Sequence, residues 1–244
     1  MTALTEELFE LLRARILAGE LPPGSRLPPE RELAATYGTN RNTLREAIRR
    51  LEQSRLVTVR QGQGVTVEDF RAVGTIELLG PFLTHANDPA EKARVVLDLL
   101  EPRARVIDFL VELAARVSTG TDRSALRAAA SAVREAEAKR DVAAHIVAEF
   151  GYLDSLVNAT HSVPTRWIAN PLLYATRGML ERQPQWVLFT PSFATMAEEV
   201  NEHLERGDAH GARAACASFH SEIDSVIRPL LEHAAGRAGP GPGN

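Results

Sequence analysis

The chain has 244 residues, of which 44% are hydrophobic, and its 28 basic and 32 acidic residues give a formal net charge of −4. This length and apolar content suffice for two globular domains, and no apolar run is long enough for a membrane-spanning helix. The single cysteine, Cys216, excludes an internal disulfide and a cysteine-based zinc cluster. The acidic N-terminal sequence lacks the basic region of a signal peptide, so a cytoplasmic protein with no membrane association is predicted.

The first predicted elements are three helices near the N-terminus. Leucine and isoleucine recur at helical spacing over residues 4–18, and the proline- and glycine-rich ELPPGSRLPP ends that helix. A short second helix follows Pro29 and stops at Gly38, a residue suited to the left-handed position after a helix. Asn40 is then a good cap for a third helix over 41–53.

The third predicted helix carries a basic face. Arg41, Arg45 and Arg49 are four residues apart, so their guanidinium groups stand in one column along the helix. Residues 41–60 contain six arginines and two glutamates, a local net charge of +4 within an acidic chain. Such a face is on its own most often a solvated surface. Next to a helix-turn-helix, it indicates binding to DNA phosphates.

Two short alternating runs, residues 56–60 and 65–67, follow the third helix. They are joined by the sequence Gln61-Gly62-Gln63-Gly64. Alternating apolar residues that flank a glycine-rich connection predict a β-hairpin, which here would be the wing of a winged helix-turn-helix.

Residues 7–68 resemble the DNA-binding domain of the GntR family of bacterial transcription regulators, through PERELA, then RNTLREAIRRLE, then a glycine-rich wing. The resemblance implies that the third helix enters the major groove of a double-stranded DNA operator and that the wing reaches the neighbouring minor groove. Arginine side chains can donate two hydrogen bonds to guanine, and glycine lets two backbones approach closely. The predicted DNA contacts are Arg31, Asn40, Arg41, Asn42, Thr43, Arg45, Arg49, Gln61 and Gly62.

The remainder of the chain predicts helices alone, near residues 71–84, 89–117, 122–138, 140–161, 165–182, 191–206 and 208–233. The predicted fold class is therefore mainly α: an N-terminal winged helix-turn-helix with a small β-hairpin wing, plus a C-terminal all-α antiparallel helical bundle. The predicted division is a DNA-binding domain over 1–68, a linker helix over 69–88, an effector-binding and dimerisation domain over 89–235, and a disordered tail over 236–244.

The segment DLLEPRARVIDFLVELAA, residues 98–115, resembles the first long helix of the ligand-binding domain in the FadR subfamily of that family. The resemblance is looser than the N-terminal one, and it implies a homodimer with a small-molecule effector inside the bundle. Many relatives hold a divalent metal there with Asp-x-x-x-His on one helix and two later histidines. In this chain Glu149 and Leu153 stand at the first two positions, and His220 is offset by one residue from the last. No metal and no cofactor are therefore predicted.

Loss of the metal site resembles the fatty-acyl-CoA-responsive branch of the subfamily. For the predicted effector site, Arg103 and Arg177 are the inward-pointing cations, while Tyr152, Trp167 and Tyr174 are candidate wall residues that could equally be ordinary core packing. A buried Arg103 needs an anionic partner, which is either the ligand or Glu149.

The predicted function is a ligand-responsive transcription regulator that binds a pseudo-palindromic operator as a dimer and releases it on binding a long-chain acyl-CoA or similar anion. One alternative is a metal-dependent regulator that responds to a small organic acid. Another is an all-α small-molecule-binding or catalytic domain with a secondary DNA role. The sequence contains no G-x-S-x-G, P-loop or H-E-x-x-H motif, so no catalytic residue and no enzyme activity are predicted.

Overall fold

A computed structural model describes residues 3–237, and this part of the chain divides between Asp88 and Pro89 into two compact units. It contains eleven α-helices and a single two-stranded antiparallel sheet. The predicted mainly-α fold class is therefore confirmed. None of the helices between residues 3 and 237 combines the length and the apolarity that a membrane span requires.

The N-terminal unit begins with helices α1 (Ala3–Leu17), α2 (Glu30–Thr36) and α3 (Arg41–Gln53), followed by strands β1 (Val57–Arg60) and β2 (Gly64–Val67). Helices α1 and α3 pack together through the apolar faces that the sequence predicted. The turn between α2 and α3 is also as predicted. Gly38 has a φ of 60°, and the side chain of Asn40 accepts a 2.9 Å hydrogen bond from the backbone N–H of Thr43.

The wing receives support from a segment that the sequence marked only as a helix break. The backbone N–H of Leu27 donates to the carbonyl of Val65, and that of Val67 donates to the carbonyl of Ser25, each at 2.9 Å. An extended segment before α2 thus lies along β2, on the side away from β1. These bonds hold the base of the hairpin and leave its tip in solvent.

The predicted single linker helix over 69–88 is wrong. The chain there forms α4 (Phe70–Val73), a 3-10 turn (Ile76–Leu78) and α5 (Leu79–His85). Gly74 ends α4 with an extended ψ of 168°. A side chain there would meet the carbonyl oxygen of Phe70 at 2.4 Å. Glycine weakens a helix, and here its lack of a side chain lets the backbone of residue 74 lie close to the carbonyl of Phe70. The helix therefore ends at Gly74, although the apolar periodicity of the sequence continues.

The C-terminal unit is a bundle of six helices, each within a few residues of a predicted run. They are α6 (Pro89–Val117), α7 (Gly120–Lys139), α8 (Val142–Ala159), α9 (Val163–Arg182), α10 (Phe193–Glu205) and α11 (Ala209–Arg237). The most extensive pairings are α6 with α11 and α7 with α8. Side chains at Thr119, Asp141, Ser162 and Ser192 cap four of the helices and so fix where each begins.

Candidate nucleic-acid interface and effector cavity

Helix α3 separates a buried face from a charged one. Leu44, Ala47, Ile48 and Leu51 are buried in the N-terminal unit, whereas Arg41, Asn42, Arg45 and Arg49 are exposed. This division follows the helical period, because residues three or four apart share a face. The predicted arginine column therefore stands in solvent, where a DNA backbone can reach it.

Two arginines of the column have glutamate partners at the surface. Arg45 Nε donates to Glu30 Oε2 at 2.8 Å, and Arg49 Nη1 lies 3.4 Å from Glu46 Oε2. Exposed ion pairs of this kind contribute about 0–1 kcal/mol, so a phosphate or a base edge can replace the glutamate at little cost. Glu30, from the start of α2, was missed by the sequence analysis because it lies fifteen residues from Arg45.

Arg50 belongs to the packing of α1 on α3 and not to the DNA face. Its guanidinium donates to both carboxylate oxygens of Glu6, at 2.5 and 3.1 Å, and lies over the ring of Phe9 at 4.0 Å. The pair with Glu6 raises the pKa of Arg50 above its ordinary value. The local charge of +4 counted along the sequence therefore overstates the charge that the surface presents.

The wing tip is formed by Gln61, Gly62 and Gln63, all of which are exposed. Gly62 has a φ of 76°, in the region that favours glycine, and a side chain at this position would point into open space. Arg31 is exposed near the start of α2. Of the nine predicted DNA-contacting residues, only Thr43 is partly buried. The contacts themselves stay a prediction.

Comparisons with known proteins agree with this geometry. The family described as "Bacterial regulatory proteins, gntR family" matches residues 4–67. The HTH-type transcriptional regulator Mce2R of Mycobacterium tuberculosis is 31% identical over 241 residues, which cover 96% of each chain. The chain belongs to the gntR family. It is a GntR-type DNA-binding transcription regulator, and both the exposed α3 and the wing lie within the residues that the family match covers.

Two further similarities concern the subfamily and the fold. The fatty acid metabolism regulator protein of Vibrio vulnificus is 34% identical over 100 residues, 41% of this regulator and 35% of that protein, and supports the FadR subfamily. The solved structure of Lar, which controls the expression of the Listeria monocytogenes agr system, has a TM-score of 0.62 at 19% identity. It covers 94% of this chain and 99% of its own, and it shows the fold alone.

The bundle of this GntR regulator contains a cavity of about 170 Å³. Its wall comes from α6, α8, α9, α11, the start of α10 and the segment between α9 and α10. Only three of the lining residues are ionisable: Arg103, His145 and Glu149. The rest of the wall is largely aliphatic and aromatic, and includes Val96, Leu99, Leu100, Met179, Leu180, Trp186, Val187, Leu188, Phe193, Phe219, Ile223 and Ile227. An apolar cavity with a few convergent polar groups is the usual form of a ligand site.

The ionisable groups form one cluster at this wall. Arg103 Nη2 lies 3.3 Å from Glu149 Oε1, and His145 Nε2 lies 3.5 Å from Glu149 Oε2. The side chains of Arg103 and Glu149 are 16% and 7% exposed. The sequence suggested Glu149 as the partner of Arg103, and the structure confirms that contact. His145 was missed, although its spacing of four residues from Glu149 was a readable signal.

The structure places the other four predicted effector residues away from this wall, which corrects the predicted pocket. Tyr152 is buried in the bundle core, where its hydroxyl lies 3.1 Å from Asn201 Oδ1 and its ring packs edge-on against Phe193. Trp167 and Tyr174 are exposed on α9. Arg177 pairs at 2.8 Å with Glu181, also on α9.

The helical period of α9 explains the misplacement of the residues on that helix. The residues of α9 that line the cavity are Thr176, Met179 and Leu180. Trp167 precedes Thr176 by nine residues, about two and a half turns, and so points to the opposite side of the helix. Aromatic composition suggested a ligand wall, but it carried no information about which face of α9 turns inward.

Three residues were compared above with the metal ligands of relatives. Glu149 is paired with Arg103, Leu153 is apolar, and His220 is offset by one residue from the ligand position. Leu153 is buried in the core cluster. His220 is buried, and neither of its ring nitrogens has a hydrogen-bond partner among the described residues. Among residues 3–237, no group of three or more histidine, cysteine or acidic side chains is placed to hold a metal ion.

We expect a chelator to leave the melting temperature of the purified protein unchanged, because this geometry supplies too few ligands for zinc, nickel or manganese. Differential scanning fluorimetry with and without EDTA, together with elemental analysis, measures this. A drop of several degrees that added metal restores would instead show a site around Glu149 and His220.

His220 should make stability depend on pH. Burial, followed by the charge of Arg103, lowers its pKa from 6.5 to about 4. Between these values the unfolded chain binds more protons than the folded one, so the free energy of unfolding falls as pH drops through the window. We expect the difference in Tm between pH 7 and pH 5 to shrink in His220→Leu. The exposed His233→Leu on the same helix should keep the wild-type difference, and equal differences in both variants would contradict the assignment.

Proposed function

We propose that this regulator binds a pseudo-palindromic operator as a homodimer, with one α3 in each half-site. The observation that carries the proposal is the exposed column of Arg41, Arg45 and Arg49 on a capped helix, followed in the chain by a glycine-tipped wing. A two-fold dimer presents two equivalent recognition helices, so the site that it reads has matching symmetry.

For the effector, we propose a long-chain acyl-CoA or a similar amphipathic anion, bound in the bundle cavity. The apolar wall and Arg103 support this assignment, as does Leu153 at a metal-ligand position of relatives. The similarity to a protein named fatty acid metabolism regulator points the same way. Binding changes the separation of the two recognition helices and releases the operator.

Selection of binding sites from random duplexes tests the DNA part. We expect enriched sequences with two-fold symmetry and half-sites spaced by about one helical turn, 34–36 Å. Fluorescence anisotropy with the selected duplex should then show release on addition of an amphipathic anion, for which palmitoyl-CoA and octanoate are the two probes. Enrichment of an asymmetric single site, or a monomer in analytical ultracentrifugation, would contradict the dimer. Release by a small carboxylate together with a divalent metal would favour the metal-dependent alternative.

A further inference from the structure

We propose that the bundle cavity selects a free monocarboxylate with a medium-length apolar body, and that Glu149 is the internal carboxylate that this ligand displaces from Arg103. The inference rests on the proposed function in one respect, that the cavity is the effector site. It goes further in two ways. It narrows the amphipathic anions proposed above to a free monocarboxylate in place of an acyl-CoA, and it names Glu149 as the group in the protein that competes with the ligand's head group.

The contacts between Arg103, His145 and Glu149 are longer than strong charge-assisted hydrogen bonds. Charge-assisted N–H···O bonds are usually about 2.7–2.9 Å, whereas Glu149 lies 3.3 Å from Arg103 and 3.5 Å from His145. Arg103 has five N–H donors, and Glu149 occupies one of them. Arg103 is only partly buried, so a ligand in the cavity can reach the donors that Glu149 leaves free. A ligand that brings two acceptor oxygens in one plane matches the guanidinium fork and gains more from Arg103 than Glu149 does.

The remaining wall directs an anionic head group to Arg103. Apart from the indole N–H of Trp186, its other polar side chains are Thr176 and Gln185. Both already make hydrogen bonds, to the carbonyl of Leu172 and to Gln183. Arg103 is the only lysine or arginine among the lining residues. Several phosphates, as in a nucleotide-bearing thioester, would find no second guanidinium or ammonium group on this wall. A single carboxylate matches the single arginine.

The size of the cavity limits the apolar body. An engineered protein cavity of about 150 Å³ binds benzene, and the present one measures about 170 Å³. A chain of roughly eight carbons therefore fits within it, whereas a long chain would have to extend beyond the lining residues. Val96, Leu99 and Ile223 offer the aliphatic contacts that such a chain requires.

Counting charges predicts how Glu149 acts. Arg103 and Glu149 together are neutral, so a ligand carboxylate adds a second negative charge beside Glu149. His145 already lies between two acids, 3.5 Å from Glu149 and 4.0 Å from Glu137 on α7, and His220 on α11 is neutral near pH 7. Arg103 is therefore the cation that the two carboxylates must share. Removal of the charge on Glu149 should therefore favour anionic ligands and leave neutral ligands of the same length unaffected.

Isothermal titration of octanoate, octanol and octanoyl-CoA into the full chain tests this. Glu149→Gln should bind octanoate about tenfold or more tightly than wild type, while its affinity for octanol stays within about twofold. Arg103→Gln should lose octanoate and keep octanol. The control is Glu202→Gln, an exposed carboxylate on α10 that pairs with Arg206, and it should match wild type for all three ligands.

Unchanged or weaker octanoate binding by Glu149→Gln would overturn the proposal, as would tighter binding of octanoyl-CoA than of octanoate by wild type. If Glu149→Gln does not fold, Arg103→Gln/Glu149→Gln removes both charges and should bind octanol but not octanoate. Octanoate binding by that double variant would contradict the role of Arg103. If octanoyl-CoA binds and octanoate does not, this inference is wrong, but the proposed operator-binding function still stands. If the wild-type protein does not bind DNA, the proposed operator-binding function is wrong.

Discussion

The Arg41→Ala/Arg45→Ala double variant should lose at least about 30-fold in operator affinity, since each arginine that reads a guanine contributes about 1–3 kcal/mol. Both side chains are exposed on α3, and the Glu30 partner of Arg45 is itself a surface residue. Arg45→Ala alone should weaken the selected operator more than a scrambled duplex. Anisotropy with both duplexes at fixed ionic strength measures the two effects separately.

Arg49→Ala should act differently, because a phosphate contact is independent of sequence. We expect weaker binding to all duplexes and a shallower dependence of affinity on salt, by about one counterion. The matched control is Arg105→Ala, which removes an exposed arginine that pairs with Glu101 on α6 and should leave binding unchanged.

Equal operator affinity for wild type and the Arg41/Arg45 double variant would refute the assignment of α3 as the recognition helix.

The second large effect concerns the ligand response. Arg103→Ala should keep operator binding and dimerisation but require at least about tenfold more effector for release, because the cavity loses its only guanidinium. Trp186 lines the cavity and Trp167 is exposed, so in Trp167→Phe the remaining emission should report occupancy of the cavity. Titration of Trp167→Phe with palmitoyl-CoA and with octanoate, each followed by anisotropy on the same samples, provides both readouts.

Arg177→Ala is the matched control for Arg103→Ala, since Arg177 pairs with Glu181 on the surface of α9. It should show the wild-type ligand response. Equal blunting in both variants would indicate a general loss of charge in the bundle and not a head-group contact. Release of DNA without any change in Trp186 emission would place the effector outside this cavity.

Much of the DNA-binding unit could be predicted from its sequence because its determinants are local. The Asn40 cap, the left-handed Gly38 and the glycine-tipped hairpin each depend on a few neighbouring residues. The periodicity of Leu44, Ile48 and Leu51 was enough to orient α3. The same reasoning located the six helices of the bundle. It left Glu149 and a ligand as alternative partners of Arg103, and the structure shows the contact with Glu149.

Only the tertiary structure showed which residues from distant parts of the chain contact each other. It showed that Arg50 is bound by Glu6, that Glu30 reaches Arg45, and that Leu27 pairs with Val65 beside the wing. It also placed Trp186, and not Trp167, at the cavity. Backbone propensity and periodicity act over a few residues, and they fix where a helix begins and which of its faces is apolar. Which neighbour covers a face depends on residues far away in the chain, and that choice appears only when the helices pack.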